Sequence, residues 1–125
     1  GNAEKAIELL GKALSSNPED MYAAFHLARA NEMTGKVNEA ERLYTKVMSV
    51  LPEYPRVYFE MGRIRASQGR KGMSNFYLAK YYLYQGRMEL AKEYFKITMD
   101  DSTVDSSVQE EADSILTRLD ELEEM

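Results

Sequence analysis

A period of 34 residues constrains this chain more than any other feature. Ala6, Leu10, Ala13 and Pro18 return as Ala40, Tyr44, Val47 and Pro52. Ala24, Leu27, Ala28 and Gly35 return as Tyr58, Met61, Gly62 and Gly69. Small and large residues thus recur together, each set the same distance on. A fixed period in this range means stacked supersecondary units that cover one another, not one wrapped core.

Within each unit the apolar residues fall at helical spacing, and breakers mark the ends. The first helix is expected over 2–15, with Ala6, Ile7, Leu10 and Leu14 on one side. Asn17-Pro18-Glu19-Asp20 stops it, because proline disfavours helical backbone before it. The next runs over 20–33 with Asp20 as its N-cap and Gly35 closing it in the left-handed region. Further helices are expected over 37–50, 55–68, 72–85, 88–100 and 106–124. Pro55 suits a first helical position, where a missing N–H costs nothing. Ser107 and Glu110 have the spacing of a capping box.

The period slips toward the end. Leu78 follows Met61 by 17 residues, and Gly86 follows Gly69 by 17. That is half a unit, or one helix. Helix 72–85 therefore reads two ways, as the second helix of the unit begun at Pro55 or as the first of the unit continued at 88–100.

The pattern resembles the tetratricopeptide repeat, a pair of antiparallel helices per unit. Residues 21–54 carry most of the motif and depart from it at Asn31 and Val47, where Tyr and Ala are usual. The resemblance implies an all-α, right-handed solenoid of about seven antiparallel helices with an irregular C-terminal part. One domain over 1–125 is expected. Residues 2–18 would be the second helix of a truncated repeat and 21–54 a full repeat. Residues 55–100 would hold the slipped repeats, and 105–124 a capping helix with a polar outer face.

Members of this family bind proteins or peptides in a groove lined by the first helix of each unit. The fifth and ninth positions of those helices are Phe25 and Arg29, then Phe59 and Arg63, and in the slipped register Phe76 and Lys80. Each pair is four residues apart and shares one helical face. With Tyr22 and Glu32 flanking them in one unit and Arg56 in the next, they form a candidate aromatic and basic lining, suited to a peptide with apolar side chains and an acidic group. The plainer reading is that the Phe residues pack between helices and the bases are solvated. The Lys and Asn set with which some relatives clamp chaperone tails is missing, and Arg29 stands where one of its Asn residues belongs.

Composition excludes several classes. The 125 residues contain no cysteine and one histidine, His26, so disulfides and zinc sites built from Cys or His are out. No phosphate loop, nucleophile elbow or HExxH motif occurs, and no catalytic residue, metal or cofactor is expected. No apolar run approaches the length of a membrane span, and no signal peptide is visible. Residues 100–125 hold ten acids against Arg118, whereas 56–96 hold nine bases against Glu60, Glu89 and Glu93. A basic middle and an acidic end point to an anionic partner, to an internal match, or to two solvated faces. The acidic tail argues against nucleic acid. Tyr77, Tyr81, Tyr82 and Tyr84 crowd one helix with Phe76 and read as packing or as a recognition surface.

A narrower resemblance covers roughly 52–125. The turn from Gly69 to Gly72, the Tyr-rich helix, Ala91, Phe95 and the acidic close are similar to C-terminal tails of bacterial envelope zinc metalloproteases. It implies a non-catalytic, partner-handling tail in the periplasm or envelope, with the zinc site elsewhere in a longer protein. A start half-way through a repeat fits such a fragment, and its uncovered first helix offers a face for homo-oligomers.

Overall fold

The computed structural model describes residues 1–125. It contains seven helices and no strand: α1 Asn2–Ser16, α2 Met21–Met33, α3 Val37–Val50, α4 Pro55–Ser67, α5 Lys71–Tyr84, α6 Met88–Met99 and α7 Ser106–Glu123. The all-α, TPR-like expectation is met helix for helix, with ends displaced by a residue or so. One detail differs. The capping box at Ser107 and Glu110 does not form, because α7 begins at Ser106 behind Asp105 and no side chain caps it. The chain divides into two compact units, Gly1–Val57 and Tyr58–Met125.

The turns explain the period. Gly35, Gly69 and Gly86 have φ of 81°, 75° and 80°, the left-handed region that glycine enters without penalty. Each closes a Schellman turn. The Gly N–H donates to the carbonyls of Glu32, Ala66 and Leu83 in turn. The next N–H donates back to Asn31, Arg65 and Tyr82, at 2.8, 2.8 and 2.9 Å. The other connection also repeats: Asp20 N–H donates to Asn17 and Tyr54 N–H to Leu51. The α5 helix is thus preceded and followed by the same glycine turn, the local form of the half-period slip.

In the first unit the core is small residues around large ones. Ala24, Ala28, Ala40, Leu43, Tyr44 and Val47 are fully buried. The α2 helix starts as expected, with Asp20 Oδ1 accepting from Ala23 N–H at 3.0 Å. Asn31, the departure from the family motif, is buried and satisfied, its amide donating to the Leu27 carbonyl at 2.9 Å. The Tyr44 hydroxyl donates to Glu32 at 2.8 Å. The α1 helix has no fully buried residue.

In the second unit Phe76, Ala79, Ala91, Phe95, Ala112 and Leu119 form one cluster. The α4 helix approaches α5 closely at Gly62, where a Cβ would lie 3.3 Å from Leu78 Cγ. The α7 helix lays Ala112 and Leu119 onto the α5–α6 hairpin, buries Leu116 beside them, and leaves Asp113, Glu121 and Glu124 exposed. The loop before it is pinned by Gln109, whose amide donates to the Asp101 carbonyl at 2.8 Å.

Candidate interaction surface

One side of α2 is apolar core, and the other carries the groups suited to recognition. Ala24, Phe25, Leu27 and Ala28 point inward. Tyr22 (73% exposed), Arg29 and Met33 (76% exposed) point to solvent, with His26 half-buried between them. Positions 22, 26, 29 and 33 share one stripe because they follow the i, i+4, i+7, i+11 rhythm of a helix. The His26 ring packs at a tilt against Tyr22, 4.3 Å between ring centres, and meets the edge of Phe25 at 5.3 Å.

Arg56, in the first turn of α4 and still within the first unit, completes the surface. Its guanidinium lies 5.0 Å from the centre of the Phe25 ring. Beside the stripe, α1 and α2 enclose a cleft of about 330 Å³. Ala3, Ala6, Leu10, Ala30 and Met33 line it, and His26 and Arg29 border the same space. Burial holds the His26 imidazole below its ordinary protonation range, and the charges of Arg29 and Arg56 push it the same way. Two positive charges, Arg29 and Arg56, thus act on this face.

The structure sorts the residues singled out from sequence. Tyr22 and Arg29 are exposed as a binding role requires. Phe25 is 1% exposed and packs against Tyr44 and Tyr54, at 5.7 and 5.5 Å. It supports the surface from beneath and has no area of its own to offer. Phe59 is 42% exposed and stacks on Tyr81 at 5.2 Å. Arg63 is exposed and pairs with Glu60 at 2.7 Å. Phe76 is core, against Phe95. Lys80 is largely covered. It sits 4.8 Å from the Phe76 ring and bonds Glu111 of α7 at 2.7 Å. Phe25 and Phe76 therefore leave the list of contact residues, and Lys80 is committed internally.

That pairing resolves part of the charge asymmetry. Lys92 of α6 reaches Asp120 at 3.0 Å and Glu123 at 2.7 Å. The two carboxylates hold its ammonium far above the ordinary lysine range, Glu123 foremost. Two bases of the middle, Lys80 and Lys92, thus pair with three acids of α7 inside the second unit. The four tyrosines of α5 are half-buried. Tyr82 lies between Tyr81 and Tyr94 at 5.3 Å from each, with Arg87 over its ring.

Sequence reasoning gave His26 no role and Arg56 only a flanking one. The signal for His26 was its spacing from Tyr22 and Arg29; that for Arg56 lay in tertiary packing. No group of three or more His, Cys, Asp or Glu residues is arranged to hold a metal. No helix is long and apolar enough to cross a membrane. No curated protein matches the chain. Residues 1–58, the part that holds α1 to α3 and the Tyr22–Arg29–Arg56 surface, match the tetratricopeptide repeat family.

Proposed function

We propose that this chain is a protein-interaction module that takes a peptide segment of a partner on the outer face of α2. The observation that carries this is the division of α2 itself. A helix with alanines and Phe25 fully buried on one side presents Tyr22, Arg29 and Met33 unshielded on the other. Exposed aromatic and Arg side chains are the residue types that dominate protein interfaces, and here they stand on a rigid helix. The likeness of residues 1–58 to tetratricopeptide repeats supports the same reading. Phe59 and Arg63 give the second unit a comparable exposed pair. The partner class is a protein or peptide with apolar side chains and acidic groups.

Selection from a displayed random-peptide library tests this. The intact chain should enrich sequences with acidic and apolar residues. The Arg29→Glu/Arg56→Glu variant, with helicity unchanged by circular dichroism, should lose that enrichment. No enrichment by the intact chain, or equal enrichment by the variant, overturns the reading.

A second reading rests on the second unit, where an acidic helix closes a Tyr-rich hairpin as in the metalloprotease tails described above. It makes the chain a non-catalytic part of a longer envelope protein. An HExxH motif in the reading frame ahead of Asn2 supports it, and a frame holding only further 34-residue units removes it.

A further inference from the structure

The peptide reading assigns no task to His26, yet the geometry places it at the centre of the surface. It is the only histidine of the chain. Its ring packs at a tilt against Tyr22, abuts Phe25 and borders the α1–α2 cleft with Arg29. Arg56 lies over the same Phe25 ring. Around the imidazole, α2 contributes Arg29 and the Tyr22 ring, and α4 contributes Arg56. From α1 the cleft receives Asn2, Ala3, Ala6 and Leu10, none of them ionisable. The charges that act on His26 are the guanidiniums of Arg29 and Arg56. An imidazole under the charge of two guanidiniums is a site where added negative charge would be strongly felt.

We propose that the occupant of this face is an acidic peptide segment whose carboxylate is drawn by Arg29 and Arg56, and that His26 takes up a proton as it binds. The inference rests on the peptide-binding reading and deepens it. A carboxylate beside Arg29 and Arg56 offsets their part of the bias against the charged imidazole, which adds to that of burial, and pairs with the imidazolium directly, while a neighbouring apolar side chain enters the Ala3–Ala6–Leu10 cleft. The protonated imidazole then supplies a third donor to the carboxylate, since both of its nitrogens carry hydrogen. The sign follows by linkage. His26 of the free protein protonates below the ordinary histidine range, and the bound carboxylate raises that value. Affinity therefore increases as pH falls through the interval between bound and free values, is flat above it, and declines again once the peptide carboxylate itself protonates, at about pH 4. A ligand that raises the midpoint by about one unit binds the protonated form about tenfold tighter than the neutral one. The face would select acidic segments more strongly under mildly acid conditions.

The test uses the full chain and two blocked dipeptides, acetyl-Leu-Glu-amide and acetyl-Leu-Gln-amide. The ring protons of His26 are followed by NMR as a function of pH; with one histidine the assignment is unambiguous. The Glu peptide should raise the His26 midpoint, and the Gln peptide should leave it in place. Arg29→Gln and Arg56→Gln should each reduce the rise, and Tyr22→Phe should preserve it. Equal effects of the two peptides on the midpoint overturn the carboxylate–histidine linkage. If both peptides perturb the Ala3, Ala6 and Ala30 amides without moving the midpoint, the linkage fails while the peptide-binding reading stands. If neither perturbs any of these amides nor the midpoint, both fall.

Discussion

Gly72, in the first turn of α5, lies against Val104 so closely that a Cβ built on it would sit 2.5 Å from Val104 Cγ1. The same Cβ would come within 2.6 Å of Asp101 Oδ2. Val104 is buried, and Asp101 holds the loop before α7, so neither neighbour can simply swing away. Gly72→Ala should destabilise the protein by about 1–3 kcal/mol, the usual cost of overpacking. Gly11→Ala is the contrasting change. Nothing lies within 4 Å of its Cβ position inside α1, so it should stabilise by about 0.5–1 kcal/mol. Urea melts of both variants check this pair, and a neutral Gly72→Ala would show that the α6–α7 loop yields.

The left-handed turns make a separate prediction, because strain acts there without crowding. Gly86 has φ of 80° with nothing within 4 Å of its Cβ position. Gly86→Ala should cost about 1–2 kcal/mol from backbone conformation alone. Gly86→Asn should cost less, since asparagine tolerates that region. Thermal melts that rank Asn at or below Ala would remove the conformational explanation.

The fold was legible because its signals are local. Gly35, Gly69 and Gly86 mark turns whose hydrogen bonds span six residues, and Pro18 and Pro52 mark the others. The surface was legible only in part. Phe25 and Arg29 are four residues apart, an offset of only about 40° around a helix. Motif position alone cannot tell which of them turns inward. Tyr44 and Tyr54 decide it for Phe25, and they lie far along the chain. Lys80 shows the same limit. Its partner Glu111 is brought in by docking of α7, which no local pattern reports.

The docking of α7 has an ionic component that can be read directly. Lys92 holds Asp120 and Glu123 together. Its raised pKa means that this contribution is complete below the ordinary lysine range and is lost only as pH climbs through strongly alkaline values. Lys92→Met keeps the stem packing and removes both pairs. Amide exchange over 116–123 should quicken, and the salt dependence of that exchange should shrink. Unchanged exchange would show that the Lys92 pairs add nothing to the attachment made by Ala112, Leu116 and Leu119.

Asp101 predicts a pH effect with the opposite sign. Its Oδ1 accepts from the Thr103 hydroxyl at 2.6 Å and from the Thr103 N–H at 2.8 Å. These bonds, the hydroxyl first, hold its carboxyl below the usual range. A lowered carboxylate stabilises the fold at pH above its unfolded value, and that contribution fades as pH falls through the folded one. Asp101→Asn should therefore lower stability at neutral pH and flatten the loss of stability below about pH 4. Parallel pH–stability curves for the two proteins would discard the Thr103 bonds as a source of the shift.

The division between core and surface on α2 is tested by its two aromatics. Phe25 is buried against Tyr44, Tyr54 and Arg56. Phe25→Ala should cost about 3–5 kcal/mol, as large-to-small core changes do. Tyr22 is exposed and touches only His26 among the rings, so Tyr22→Ala should fall within about 0.5 kcal/mol of the parent. Binding of an enriched acidic peptide should reverse the order of importance. Tyr22→Ala should weaken it at unchanged stability, whereas Phe25→Leu, which keeps an apolar core, should retain most of it. Calorimetric titration of that peptide into both variants separates the two roles. Full affinity in Tyr22→Ala would move the binding surface off α2, and loss of affinity in a folded Phe25→Leu would return Phe25 to the contact surface.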